Sequence, residues 1–144
     1  KVRCFIMACY SPNTVKYTTQ RGETICDLLK KIDKVQKDAV LSEIQGRCDN
    51  CALPLMFNTK PIAIWTECGR FEAIVRLFPE ETTTGLFRVE EVRDCETVVL
   101  RLLEVCNGKI KCTDETVTLR IACICAVQCF DPIHCQHVCF KVTL

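Results

Sequence analysis

Cysteine is the residue type in this chain with the clearest chemistry. The 144 residues include 14 cysteines and only two histidines. Cysteine usage of this order is typical of a disulfide scaffold, and disulfides persist where thiols are oxidised, outside the cell or in the secretory lumen. We therefore expect a secreted, extracellular protein in which every cysteine forms a structural disulfide. The cysteines are Cys4, Cys9, Cys26, Cys48, Cys51, Cys68, Cys95, Cys106, Cys112, Cys123, Cys125, Cys129, Cys135 and Cys139.

Metal binding is the second chemistry that these residues allow. Cys48-x-x-Cys51 has the spacing of half a zinc site, and Cys135 with His134 or His137 could supply the other half. A structural zinc site usually takes two such pairs, and this chain has only one Cys-x-x-Cys. Separate disulfide partners for Cys48 and Cys51 are therefore the preferred interpretation, and we predict no metal and no other cofactor. An intracellular zinc-binding protein is the alternative.

The remaining polar residues give little support for catalysis. A redox Cys-x-x-Cys pair belongs at a helix N-terminus, whereas Cys48 and Cys51 follow a helical pattern and precede Pro54. Neither serine lies in a Gly-x-Ser-x-Gly motif, and no glycine-rich phosphate loop is present. The carboxylates are distributed as on solvated strand faces and turns. We predict that the protein is not an enzyme.

The charge balance argues against two classes of partner. Lys and Arg number 19 against 18 for Asp and Glu, which gives a net charge of +1. Without an acidic or basic tail, nothing electrostatic favours nucleic acid or a membrane surface. The longest uninterrupted apolar run, residues 121–127, is too short to span a membrane. We expect a protein partner or receptor, and neither nucleic acid nor a membrane span.

One long amphipathic helix is predicted from Thr24 to about Gln45. Thr24 with Asp27 three residues later resembles a capping box, and Gly46 is a suitable stop. Cys26 lies in the first turn, where it can tie the helix to the element that it covers. The apolar residues recur three and four positions apart, the period of one helix face. They are Ile25, Leu28, Leu29, Ile32, Val35, Ala39, Val40 and Ile44.

A row of lysines lies on the other face of this helix. Lys30, Lys34 and Lys37 are spaced i, i+4 and i+7, so their side chains share one side of the helix. Such a row is a candidate for contact with sulfated glycans or an acidic receptor surface. A solvated helix face is the alternative interpretation.

Beyond residue 50 the pattern becomes that of β-strands. Segments rich in Val, Ile, Leu, Phe and Thr are separated by turn residues. Leu100, Leu102 and Leu103 make one of them apolar on both faces, so it should be central or covered by the helix. The predicted fold class is α+β: a disulfide-rich antiparallel β domain with one long N-terminal helix. We expect a single domain, 1–144, with a helical part (1–50) and a β part (51–144). The predicted strands are 61–67, 70–78, 86–95, 97–106, 116–126 and 138–144.

The strands around the predicted turn at 79–85 are apolar on both faces. A small β domain cannot easily bury both faces alone, so either the helix or a second chain should cover one of them. A homodimer or higher assembly is therefore a candidate state. Large apolar patches usually mark interfaces, and we single out Phe78 and Phe87 as candidate interaction residues.

Two segments carry a family resemblance. Residues 118–125, Thr-Leu-Arg-Ile-Ala-Cys-Ile-Cys, look like the closing strand of cystine-knot cytokines. Residues 85–95 are similar to the strand that leads into a knot cysteine. Over about residues 86–126 the chain thus resembles cystine-knot cytokine-like ligands of the Spätzle, Trunk, prothoracicotropic and interleukin-seventeen-like groups. In an extended strand Cys123 and Cys125 face the same side, so each should bond to a different neighbouring strand.

Two functions follow for an oxidised extracellular chain. The resemblance implies a secreted ligand or interaction protein that acts by surface recognition and signals as cytokines do. The alternative is a structural building block of an extracellular matrix, a fibre or a viral surface, in which exposed strands and spare cysteines join chains.

Overall fold

The computed structural model describes residues 24–45 and 57–135. One helix and an antiparallel β-sheet make up this part of the chain, which confirms the predicted α+β fold class. A 3₁₀ turn at Ile121–Cys123 separates the last two strands. The elements are α1 (Ile25–Gln45), β1 (Ile62–Thr66), β2 (Gly69–Arg70), β3 (Ala73–Arg76), β4 (Thr82–Thr84), β5 (Leu86–Arg93), β6 (Thr97–Cys106), β7 (Lys109–Arg120) and β8 (Ala126–Cys129).

The main sheet has the strand order β2-β1-β5-β6-β7. The last strand, β8, lies outside this order and pairs antiparallel with β1. β3 and β4 form a separate hairpin. The β6–β7 connection is a two-residue turn in which Asn107 and Gly108 both have positive φ, 52° and 75°, as the twist of such hairpins requires. β6 lies between β5 and β7, and its Leu100, Leu102 and Leu103 are all buried, which confirms the predicted central strand.

One face of the sheet forms the hydrophobic core with α1. Phe87 lies opposite Leu102, and Val89 lies opposite Leu100. These four side chains are buried in one cluster with Leu29 and other residues of α1. The helix therefore covers the apolar face, and because Cys26 is disulfide-bonded to Cys95, the predicted tie between helix and sheet is also confirmed.

The other face of the sheet carries buried polar side chains as well as Leu103. Two short segments, 57–60 and 130–135, which we call the strap, pack against it, and Arg88 bonds to Asn58 and Thr59 of the strap. Thr59 and Ile133 form an isolated antiparallel bridge between the two segments. The Asn58 side chain donates to the Cys135 carbonyl (3.0 Å) and accepts from its amide (2.8 Å). Cys135 is bonded to Cys112 of β7, which fastens the strap to the sheet.

An arginine–glutamate–arginine cluster lies at this face. Arg88 and Arg101 are cross-strand neighbours, and both are buried. The Glu90 Oε1 atom accepts from Arg88 Nη1 (2.8 Å) and from Arg101 Nε (2.7 Å). Arg88 and Glu90 are two residues apart in β5, so strand alternation places both side chains on this face, and a β-bulge follows between Val89 and Glu91. The expectation of a solvated carboxylate is therefore wrong for Glu90, because it shares a sheet face with two buried guanidinium groups.

The start of α1 agrees with the sequence pattern, but its buried face does not agree at every position. Thr24 and Asp27 form a reciprocal capping box, with bonds of 3.3 and 3.1 Å. Val35, expected in the apolar stripe, is 61% exposed, whereas Gln36 is only 2% exposed. The core-facing line passes through Cys26, Leu29, Ile32, Gln36 and Val40 because polar partners for Gln36 lie beneath the helix.

Most strand predictions agree with the structure near the centre of the sheet and fail near its ends. The predicted strand 70–78 is interrupted and becomes β2 and β3, while the predicted turn 79–85 contains β4. The predicted strand 116–126 starts earlier, at Lys109, and ends at Arg120. Gly46 and the predicted strand 138–144 lie outside the described residues. Within residues 24–45 and 57–135, no helix has the length and apolar content that a membrane span needs.

Candidate interaction surface

The β3–β4 hairpin carries three of the large exposed apolar side chains of the described residues, including Phe78, the most exposed of them. Ala73 lies opposite Thr84 and Ile74 opposite Thr83, and the register then shifts before Arg76. The shift places an extra residue in β3, which increases the local twist. The connection between the two strands includes a cis bond between Phe78 and Pro79.

This hairpin is held against the sheet by polar and apolar contacts at its base and by an ion pair next to its tip. The Thr84 hydroxyl donates to the Leu103 carbonyl of β6, and Arg76 Nη2 lies 3.1 Å from Glu104 Oε1. Phe71, just before β3, stacks on the core residue Phe87 with ring centroids 5.4 Å apart. The hairpin therefore presents its tip from an anchored base.

The tip is apolar and exposed to solvent. Phe78 is 82% exposed, Leu77 60% and Ile74 48%. Isolated apolar residues on a surface are ordinary, but here three large ones lie within five residues of one hairpin. Aromatic and aliphatic side chains grouped in this way are typical of protein interfaces. We call Ile74, Leu77 and Phe78 the hairpin-tip surface.

A shallow groove runs beside this surface. Ile74, Val75 and Leu77 of the hairpin segment line one side, and Glu115 of β7 lines the other. The groove holds about 270 Å³, slightly less than the roughly 300–1,000 Å³ of small-molecule pockets. It is therefore a small surface depression.

The two phenylalanines that the sequence singled out lie in different environments. Phe78 forms the end of the hairpin-tip surface. Phe87 is 0% exposed and packs in the core, so its selection as an interaction residue is wrong. Phe87 and Val89 alternate with Arg88 and Glu90 in β5, and α1 covers the Phe87 side.

The predicted lysine row is exposed but largely neutralised. Lys34 Nζ lies 2.9 Å from Asp38, and Lys37 Nζ lies 2.8 Å from Asp33. Both are i, i+4 pairs, which are weak in water but lower the local positive charge. Lys30 is exposed. A row compensated in this way offers less attraction for sulfated glycans than the spacing suggested.

The cysteines of the described residues fall into two groups. Cys26–Cys95 and Cys112–Cys135 are disulfides with Cα–Cα separations of 5.5 and 5.7 Å, and Cys68 and Cys123 are disulfide-bonded as well. The exposed free thiols are Cys106, Cys125 and Cys129. Cys4, Cys9, Cys48, Cys51 and Cys139 lie outside the described residues.

The free thiols correct the expectation that all cysteines are paired. Cys125 has no disulfide, so the side-by-side bridges expected for Cys123 and Cys125 do not occur. The 3₁₀ turn ends the β7 strand before Cys123, and the Cys125 amide donates instead to the Trp65 carbonyl of β1 (2.7 Å). The two cysteines therefore do not share one strand face.

Cys106 lies at the end of β6 and has a distinct environment. Its Sγ atom donates to Glu104 Oε1 at 3.0 Å. This hydrogen bond, followed by burial and by repulsion from the Glu104 carboxylate, raises the pKa of the Cys106 thiol. The thiol form is therefore favoured, which makes Cys106 a slower nucleophile than an ordinary exposed cysteine.

The zinc alternative loses one of its ligands. Cys135 is in a disulfide with Cys112, so its sulfur is not available as a thiolate. Cys48, Cys51 and His137 lie outside the described residues. In residues 24–45 and 57–135, no group of three or more His, Cys, Asp and Glu side chains is arranged to hold a metal ion.

Two features of this surface were not predicted from the sequence. β4 and its pairing with β3 fell within a predicted turn, although three successive threonines in β4 favour a strand. That signal could have identified the hairpin. The proximity of Glu115 to the hairpin depends on tertiary folding, and no local pattern indicates it.

No protein-family model matches this chain, and comparison with curated proteins and with solved structures also finds no match.

Proposed function

We propose that this protein is a secreted ligand or interaction protein, cytokine-like in its action, that binds a protein partner through the hairpin-tip surface. The observation that carries this proposal is Phe78, which is 82% exposed at the tip of a hairpin with an anchored base. Exposing a phenylalanine and two aliphatic side chains together opposes solubility, and a binding partner would offset that cost. Aromatic anchors of this kind often dominate interface energies.

The disulfides support an extracellular setting for this function. Cys26–Cys95 and Cys112–Cys135 fasten separate elements to the sheet, and such bonds persist in oxidising compartments. A disulfide-bonded scaffold keeps the recognition surface folded where proteases are abundant. The proposed role is binding, without catalysis.

A screen against extracellular receptor domains of the source organism tests this function. The protein would be secreted from eukaryotic cells and compared with Phe78→Ser and with the matched control Val35→Ser, which removes another exposed apolar side chain from α1. We expect Phe78→Ser to weaken binding at least about tenfold, as loss of an interface hot spot does. We expect Val35→Ser to leave binding unchanged. Equal effects of the two variants, or no bound domain, would contradict the proposal.

Covalent assembly is a second candidate function, and the free thiols favour it. Cys106, Cys125 and Cys129 are exposed, at the β6–β7 turn and beside or within the edge strand β8. Two thiols on different chains would form one disulfide and release two protons and two electrons to a thiol oxidase or oxygen. Non-reducing electrophoresis should then show ladders that disappear in a Cys106→Ser/Cys125→Ser/Cys129→Ser variant. A monomeric wild type would exclude it.

A further inference from the structure

The groove beside the hairpin-tip surface combines apolar walls with a carboxylate. Its apolar wall comes from Ile74, Val75 and Leu77, and Glu115 stands on the opposite side. A ligand that fills it must therefore place an apolar group between these walls and tolerate or neutralise a negative charge. A side chain from a partner protein satisfies the size of the groove.

Two further carboxylates adjoin the same surface. Glu80 and Glu81 follow Phe78 in the connection between β3 and β4, and both are exposed, as is Glu115. None of the three forms an ion pair within residues 24–45 and 57–135. We call these three residues the acidic rim.

The nearest basic side chain of the hairpin does not neutralise the rim. Arg76 is the only basic residue between Ala73 and Thr84, and its guanidinium is paired with Glu104 at 3.1 Å. The hairpin-tip surface is therefore an apolar centre with a negatively charged border. Electrostatic complementarity at such a border sets which partners approach and how fast.

Building on the proposed function, we infer that the partner presents a segment in which apolar side chains are flanked by lysine or arginine. The apolar side chain fills the groove and packs on Phe78, while the basic side chains pair with the acidic rim. Apolar contacts at the centre with charged contacts at the border match the usual anatomy of an interface.

Charge argues against a second copy of this chain as the occupant. In a two-fold dimer the same patch meets itself. Two hairpin tips packed together would bring Glu80 and Glu81 of each chain close to their own copies, and like charges at a contact are unfavourable. A basic partner removes this repulsion.

Three synthetic peptides of equal length test the inference: KLKFKLK, its acidic counterpart ELEFELE, and KSKSKSK, which keeps the charge but lacks apolar side chains. We expect KLKFKLK to bind at least about tenfold more tightly than either control, measured by fluorescence anisotropy. Raising the salt concentration should weaken this binding, because exposed ion pairs are screened.

Two sets of variants locate the binding. Phe78→Ser and the triple variant Glu80→Gln/Glu81→Gln/Glu115→Gln should each remove the preference for KLKFKLK. A control triple variant, Glu67→Gln/Glu96→Gln/Asp131→Asn, neutralises three exposed carboxylates outside the rim and should bind like the wild type. Equal binding of ELEFELE, no binding of any peptide, or equal effects of the two triple variants would overturn the inference.

The two proposals fail in different ways. If a receptor domain binds in a Phe78-dependent manner but is insensitive to the Glu80→Gln/Glu81→Gln/Glu115→Gln variant, the inferred partner chemistry is wrong and the proposed function stands. If the receptor domain is insensitive to Phe78→Ser, the proposed function itself is wrong. The protein could also self-associate in sedimentation experiments and lose this association in Phe78→Ser. That result would show that a second copy of the chain binds the surface, and it would overturn the inference of a basic partner.

Discussion

At the scale of single residues, Gln36 connects the helix, β5 and the strap. Its Nε2 atom donates to the Val89 carbonyl at 2.8 Å, and its Oε1 atom accepts from the Lys60 amide at 2.9 Å. Replacing it by leucine would remove both bonds, and the Val89 carbonyl would keep only the longer bond from Arg88 Nη1 at 3.4 Å. We expect Gln36→Leu to lower the free energy of unfolding by about 1–3 kcal/mol, measured by urea denaturation. The neighbouring exposed change Val35→Gln should alter it by less than about 0.5 kcal/mol, and similar losses would contradict this role.

Cys106 offers a second test at this scale, through its reactivity. Its pKa is raised chiefly by the hydrogen bond to Glu104, since ionisation breaks that bond and places a thiolate beside a carboxylate. Below that pKa the thiol dominates, and the reactive thiolate gains population only as pH rises through it. We expect Glu104→Gln to lower the pH midpoint of Cys106 alkylation, followed by peptide mapping in a Cys125→Ser/Cys129→Ser background. An unchanged midpoint would show that the bond does not form in solution.

At the scale of elements, two neighbouring glutamates of β5 have different roles. Glu90 bonds to the buried Arg88 and Arg101, whereas Glu91 pairs with the exposed Arg93. Removing the shared carboxylate leaves two buried cations close together. We expect Glu90→Gln to cost about 3–5 kcal/mol and Glu91→Gln less than about 1 kcal/mol, measured by urea denaturation. Equal costs would mean that the cluster is solvated.

The sequence predicted elements well where their own periodicity decides their structure. The capping box of α1 and the β6 strand at Thr97–Cys106 follow from local patterns. The β5 bulge and the exposure of Val35 depend on which element lies across from them, so they could not be predicted. The burial of Phe87 does have a local signal, because Phe87 and Val89 alternate with Arg88 and Glu90. The candidate surface shows the same division: Phe78 was singled out by its apolarity, but the groove with Glu115 arises only when β7 meets the hairpin.

At the scale of the whole molecule, the sheet is covered on both faces, and a disulfide fastens each cover. Cys26–Cys95 ties α1 to the turn after β5, and Cys112–Cys135 ties the strap to β7. The two covers contact opposite faces of the sheet. The face under α1 is apolar, and the face under the strap holds the buried Arg88 and Arg101. We therefore expect each disulfide to slow hydrogen exchange in the segment that it fastens more than in the sheet between the two segments.

Hydrogen exchange on the two disulfide-deleted proteins tests this arrangement. The bonded cysteines are separated by 69 residues in Cys26–Cys95 and by 23 in Cys112–Cys135. Either deletion should cost about 2–4 kcal/mol, more for the longer loop. Cys26→Ala/Cys95→Ala should accelerate exchange in α1.

Cys112→Ala/Cys135→Ala should instead accelerate exchange at the strap amides of Asn58, Thr59 and Ile133, which are bonded to one another's carbonyls at 2.9–3.1 Å. Amides of β6, paired on both sides, should keep the slowest exchange in both proteins, because they open only with the whole fold. Uniform acceleration in both variants would mean that the covers and the sheet unfold as one unit. In that case the disulfides stabilise the molecule only by lowering the conformational entropy of the unfolded chain, and they do not slow the local opening of α1 or of the strap.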